Sequence, residues 1–220
     1  MRFTFPGTLF LRAALLWLLL LCASPFTARS EDALIEGGLS PDRRYEVRKV
    51  RVLQGELKGA YTLDLFDAVK GQNLMSLHPG GYFAYDQAEA GACAAFWHPS
   101  SRFFALLNVE KREMTSLFLY ATDGELAREI PLPDYALLAL TKFKEGKQGF
   151  LDGFTTRWPE WIGNELHFQI FFKVPPPRKR RQEPAEYSSF AVVTPVLREG
   201  RYRAELHKLS RPLPVERQYP

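Results

Sequence analysis

FFALLNV at Phe103–Val109 and TSLFLYAT at Thr115–Thr122 decide the fold class. Both runs are apolar and aromatic, and only Glu110–Glu113 separates them, so they read as an antiparallel pair. Asp123-Gly124 follows at once, a dipeptide suited to a tight left-handed turn, and Glu125–Ile130 returns along the second strand. The resulting expectation is a meander of hairpins.

Reading outward in both directions extends the pattern. Ser40-Pro41-Asp42-Arg43-Arg44 is a turn, in which proline fixes φ and the aspartate side chain bonds the turn backbone. Tyr45 to Val52 alternates, with a phase slip at Arg48-Lys49 that predicts a bulge. Ala60–Asp67 is a strand with Tyr61, Leu63 and Leu65 on one face; Lys70-Gly71 turns it and Asn73–Leu77 returns. Ala92–Trp97 is a short buried strand between the loop His78-Pro79-Gly80-Gly81 and the turn His98-Pro99-Ser100-Ser101. Leu166–Phe172 alternates, with its apolar residues at even positions. Ser188–Leu197 and Arg201–Leu209 form a hairpin across Glu199-Gly200. The one helix expected is Asp134–Glu145, capped by Asp134 and closed by Gly146. Pro175–Arg181 is a surface loop and the tail from Arg211 is loosely ordered.

The first thirty residues read as a secretory signal. Arg2 and Arg12 precede the apolar run Ala13–Ala23, and Ala28-Arg29-Ser30 offers small residues at the two positions a signal peptidase accepts. Leu21 stands before Cys22 where a lipidated cysteine wants a small residue, so cleavage before Glu31 is expected rather than lipid anchoring. The expected organisation is signal 1–30, one β-rich domain 31–210 and a Pro-rich tail 211–220, exported to a periplasmic or extracellular space. The full chain has 29 basic and 25 acidic residues; removing Arg2, Arg12 and Arg29 leaves 26 against 25. That balance gives nucleic acid no concentrated positive field to bind. Cys93 alone remains, so the fold holds without an intramolecular disulfide.

A weak repeat runs through the chain. Ser40-Pro41-Asp42-Arg43-Arg44-Tyr45 matches His98-Pro99-Ser100-Ser101-Arg102-Phe103 at an offset of 58. Leu63–Asp67 with Lys70-Gly71 matches Leu117–Ala121 with Asp123-Gly124 at an offset of 54 or 53. A more degraded copy begins at Trp158-Pro159-Glu160-Trp161, continues through the strand at Leu166 and closes at Glu199-Gly200. The stretches SPDRRYEV…YTLDLFDAVKG and HPSSRFFALL…SLFLYATDGE resemble blades of β-propellers of the WD40 and TolB-like type. In those repeats a Ser-Pro-Asp-Gly turn leads into a strand; here Arg43 and Ser100 stand at its glycine and aspartate positions. The resemblance implies a mainly β scaffold of antiparallel hairpin units resembling propeller blades, either an incomplete propeller or a β-meander, and transfers no catalytic residue. Three units are too few for a ring, so the open edges are expected to be covered either by the helix Asp134–Glu145 and the Pro-rich tail or by another chain.

No residue pattern marks a catalytic site, a metal site or a cofactor site. Cys93, His98 and His78 are the nearest to a nucleophile and base, but Cys93 lies among Ala92, Ala94 and Phe96, as a buried structural thiol does. His78, His98, His167 and His207 lack ligand spacing, and Asp64 and Asp67 fall on opposite strand faces. The candidate binding surface comprises Trp97, His98, Trp158 and Trp161, with Arg178, Lys179, Arg180 and Arg181. The indoles either pack or stack on sugar rings, and the basic run is either a solvated loop or a contact for an anionic polymer. The reading is an exported, non-enzymatic binding or scaffold module for a protein or envelope polymer. The alternative is a cell-envelope hydrolase with a site assembled from loops.

Overall fold

The structure, a computed structural model, describes residues 32–54, 58, 61–77, 93–111, 114–142, 154–174 and 185–215. The described body begins at Ala33 and consists of three β units. Unit 1 holds β1 (Ala33–Leu39), β2 (Tyr45–Arg51), β3 (Tyr61–Asp67) and β4 (Gln72–Leu77). Unit 2 holds β5 (Cys93–Trp97), β6 (Phe103–Lys111), β7 (Met114–Thr122) and β8 (Ala127–Ile130). Helix α1 (Tyr135–Lys142) follows. Unit 3 holds β9 (Phe154–Ile162), β10 (Glu165–Val174), β11 (Ala185–Arg198) and β12 (Arg201–Leu209), and a short β13 (Leu213–Pro214).

Within each unit successive strands pair antiparallel. Between units the links are parallel and single, Glu36 with Ala94 and Thr115 with Thr155. The strand order runs from β12 at one end to β4 at the other, and the sheet is not closed. The protein is therefore mainly β, with hairpin units like propeller blades and one short helix among the described residues.

The strand period of two explains how the units stack. Along β6, Phe104 and Leu106 join a first core with Tyr45, Val47, Leu63 and Leu65 of unit 1. The intervening Ala105, with Phe103 and Leu107, joins a second core with Leu166, Phe168, Ile170 and Phe172 of unit 3. Unit 2 is thus covered on both faces. Each fully buried Phe or Leu in these cores contributes about 1.5–3 kcal/mol over its exposed state.

The expected hairpins are present. Leu119–Ile130 to Thr122–Ala127 pairing brackets the Asp123-Gly124 turn, and Glu199 and Gly200 turn the β11–β12 hairpin at φ 52° and 74°. Asp134 caps α1, its Oδ1 accepting the Leu137 amide at 2.9 Å. Gly146, the loop at His78 and the basic run Arg178–Arg181 lie outside the described residues.

Several expectations are corrected. The bulge is not in β2, which pairs with β3 without a register break. It lies opposite, in β1, between Leu34 and Leu39. There Gly37 has φ +62°, and a Cβ on it would meet the Ala95 carbonyl oxygen at 2.2 Å. In α1, Tyr135 and Ala139 pack into the second core. The tail from Arg211 is ordered as far as Val215: Leu213 and Pro214 pair with Ser188 and Tyr187 beyond the end of β12, and the Val215 amide donates to Glu186. Cys93 is half-buried rather than buried, with its Sγ 3.4 Å from Asn108 Oδ1.

Candidate functional site

The turns at the ends of β1, β5 and β9 meet where the units join. The first two have the same construction. The Ser40 amide donates to Tyr45 O and the His98 amide to Phe103 O, both at 2.9 Å. Arg43 N donates to Ser40 O, and Ser101 N to His98 O. Arg43 and Ser101 both adopt φ 59°, the left-handed conformation that favours glycine. Further on, Ala68 N donates to Arg44 O as Thr122 N does to Arg102 O, both at 2.8 Å. The two turns therefore share these backbone hydrogen bonds at offsets of 58 and 54.

The side chains of the turns differ in detail and agree in function. Asp42 Oδ1 accepts from Ser40 Oγ at 2.7 Å and the Arg44 amide at 3.1 Å. Partial burial pushes the Asp42 carboxyl up, but the Ser40, Arg44 and Ser101 hydrogen bonds and the Arg44 charge together leave it below the ordinary aspartate value. In the second turn Ser100 occupies the aspartate's place, its Oγ accepting the Arg102 amide at 3.3 Å. Ser101, buried, links the two turns by accepting the Asp42 amide at 3.1 Å.

Each junction repeats one device. Trp97 Nε1 donates to Gly38 O at 3.3 Å, and Trp161 Nε1 donates to Phe96 O at 2.8 Å. Gly38 and Phe96 are themselves 58 apart, so each indole reaches back to the same carbonyl of the preceding unit. The arginines reach forward: Arg44 Nη2 to Gly124 O at 2.9 Å, Arg102 Nη2 to the Tyr202 hydroxyl at 3.2 Å. Aromatic rings fill both junctions. Tyr45 stacks on Trp97, and Trp97 lies 4.5 Å from Phe104. His98 meets Trp161 edge-on at 5.0 Å, and Phe103 meets Tyr202 at 5.3 Å.

His98 is a bridge between units 2 and 3. The Ser100 amide donates to its Nδ1 at 3.1 Å, so Nδ1 is unprotonated and Nε2 carries the hydrogen it donates to Gly163 O at 3.0 Å. Cys93 starts β5 and His98 follows its end, so about 16 Å of strand separates thiol from imidazole. Asp64 accepts from Asn73 and Ser76 at 2.7 and 2.6 Å, while Asp67 accepts the Val69 and Lys70 amides. His167 pairs with Glu165 at 3.0 Å, and His207 is exposed. Among the described residues no group of three His, Cys, Asp or Glu side chains is arranged to hold a metal ion. Among the same residues no helix is long and apolar enough to cross a membrane.

Of the candidate surface, Trp97, His98 and Trp161 come together at the junctions, and Trp158 stands apart on the outer face of unit 3. Sequence reasoning did not single out Arg44, Arg102, Gly37 or Tyr202. The only signal for the arginines was the shared Pro-x-x-Arg-aromatic spacing of the two turns. Neither the protein-family models nor the curated proteins searched match this chain.

Proposed function

We propose that this chain is an exported, non-enzymatic binding or scaffold module built from WD40/TolB-like β units. The observation that carries the reading is the bonding of His98. Both ring nitrogens are engaged, Nδ1 by Ser100 and Nε2 by the Gly163 carbonyl. An imidazole held in this way joins units together and has no free nitrogen to take a proton from a nucleophile. The apolar run Ala13–Ala23 and the Ala28-x-Ser30 site support export. The partner under this reading is a protein or an envelope polymer met outside the cytoplasm.

Two experiments test the reading. N-terminal sequencing of exported material should begin near Glu31; a lipidated Cys22 at the terminus counts against it. The purified mature chain should co-sediment saturably with insoluble envelope material. Turnover of a generic ester or glycoside substrate that His98→Ala abolishes while the fold persists would replace the binding module by a hydrolase.

A further inference from the structure

The outer face of unit 3 carries Trp158, 65% exposed, whereas the Trp97 and Trp161 indoles are half-buried and bonded. Trp158 sits where β9 carries one extra residue. Arg157 pairs with Gln169 and Glu160 with His167, so three steps on β9 oppose two on β10. Its φ is +52°, rare for an aromatic residue and strained outside glycine. A bulge of this kind re-aims a side chain. The indole meets Phe171 edge-on at 5.7 Å and 80°, and the Arg157 guanidinium lies 4.9 Å from the same ring. Phe171 is buried and belongs to neither core. The indole is thus held on one side and open on the other.

The surroundings select the ligand. Beside the indole on β9 are Arg157 and Glu160, and opposite them on β10 are Gln169 and His167. His167 is bonded to Glu165 and edge-on to Phe190 at 5.5 Å. The face combines the exposed Trp158 indole with donors and acceptors of both kinds, and Ile162 and Phe190 are also exposed on it. Two other occupants fit worse. A stable protein interface needs about 800 Å² on each side with an apolar centre, and here Glu160, Glu165 and His167 interrupt the exposed Trp158, Ile162 and Phe190, the first and third residues of β10 being Glu165 and His167. The same positions in β6 are Phe103 and Ala105, which do pack against a neighbour. A polyanion would meet Glu160 and Glu165 beside Arg157. A pyranose fits: its C–H face stacks on an indole, and each rim hydroxyl both donates and accepts.

We propose that Trp158 is the stacking platform of a saccharide site on the outer face of unit 3, suited to uncharged β-linked hexopyranose chains. Where such sugars are gluco-configured, the ring substituents are all equatorial and both faces present C–H bonds. The proposal rests on the binding-module reading and names a ligand class for it.

The test is calorimetric titration of the mature chain with cellohexaose and with N-acetylated chitohexaose, alongside indole fluorescence. Saturable binding to at least one is expected, with affinity falling at least tenfold in Trp158→Ala and less in Trp158→Tyr. Circular dichroism of both variants checks that uncovering Phe171 leaves the fold intact, and the tyrosine variant carries the test if the alanine variant unfolds. The proposal is overturned if neither sugar binds at millimolar concentration, if Trp158→Ala binds as well as wild type, or if light scattering finds a dimer that Trp158→Ala splits. Loss of sugar binding with co-sedimentation on envelope material retained removes only the saccharide site. Loss of both removes the binding module as well.

Discussion

At the second and fourth positions of their second strands, unit 2 carries Phe104 and Leu106 and unit 1 carries Glu46 and Arg48. The backbone places these pairs alike, yet the first pair is fully buried in the first core and the second is half-buried on an outer face. There Arg48 pairs with Glu46 and lies 4.9 Å from the Phe66 ring. Unit 3 shows the same exchange on its opposite face, where Glu165 and His167 stand in for Phe103 and Ala105. The difference teaches that a β unit of this sheet is apolar only where a neighbour covers it. Terminal units of a stack stay soluble by turning polar on the uncovered side. By this criterion both outer faces are capped and the two inner interfaces hold the stack.

The largest expected effect comes from exchanging the two chemistries. Leu106→Arg forces a charge into the first core and should destabilise by about 4 kcal/mol or more in urea unfolding. Arg48→Leu loses a half-buried ion pair within its own strand and a cation–ring contact, and should cost less than Leu106→Arg, about 1–2 kcal/mol. Equal effects would erase the distinction between inner and outer faces.

Next is the seat of unit 1 on unit 2. Gly37→Ala meets the Ala95 carbonyl at a left-handed residue, and should lower stability by about 3 kcal/mol. Gly71→Ala has the same hand, φ +64°, but open space around it, and should lose only about 1–2 kcal/mol. Thermal unfolding of the pair separates close approach from backbone strain. The indole bonds compare the two junctions directly. Trp161→Phe leaves the Phe96 carbonyl without its 2.8 Å donor and should reduce stability by about 1–2 kcal/mol. Trp97→Phe, whose bond is 3.3 Å, should reduce it less.

The smallest effect concerns the turns in acid. Amide hydrogen bonds, from Lys70 to Asp67 and from Leu126 to Asp123, hold both carboxyls below the ordinary aspartate value, and Asp42 lies low as well. A carboxyl lowered in the folded state contributes stability above its unfolded value of about 3.9 and loses it as pH falls through the folded value. The chain should therefore weaken on acidification below about pH 4, and Asp67→Asn should flatten that limb of the stability profile. An unchanged acid limb would remove the turn carboxyls from the balance.

Much of this architecture was legible because its signals are local. Phe103–Val109, Thr115–Thr122 and Leu166–Phe172 alternate with the strand period, and Asp123-Gly124 and Glu199-Gly200 mark reversals. β1 was not legible, since Gly37-Gly38 interrupts alternation for the sake of a contact with Ala95. β9 was hidden by Trp158-Pro159, which occupy its bulge. Among the candidate residues, sequence distinguished the tryptophans by type but not by use. Two donate to carbonyls 59 and 65 residues away, and the third stands exposed on an outer face.

The sequence by itself determined most of the strands and the hairpin turns, because φ/ψ sterics and bonds between near neighbours act within a few residues. Only the tertiary structure decided which face of each unit is covered, which carbonyl each indole reaches and that Trp158 faces outward. Those outcomes depend on pairing surfaces far apart in the chain, where the gain is set by the neighbour a face meets rather than by the pattern it carries.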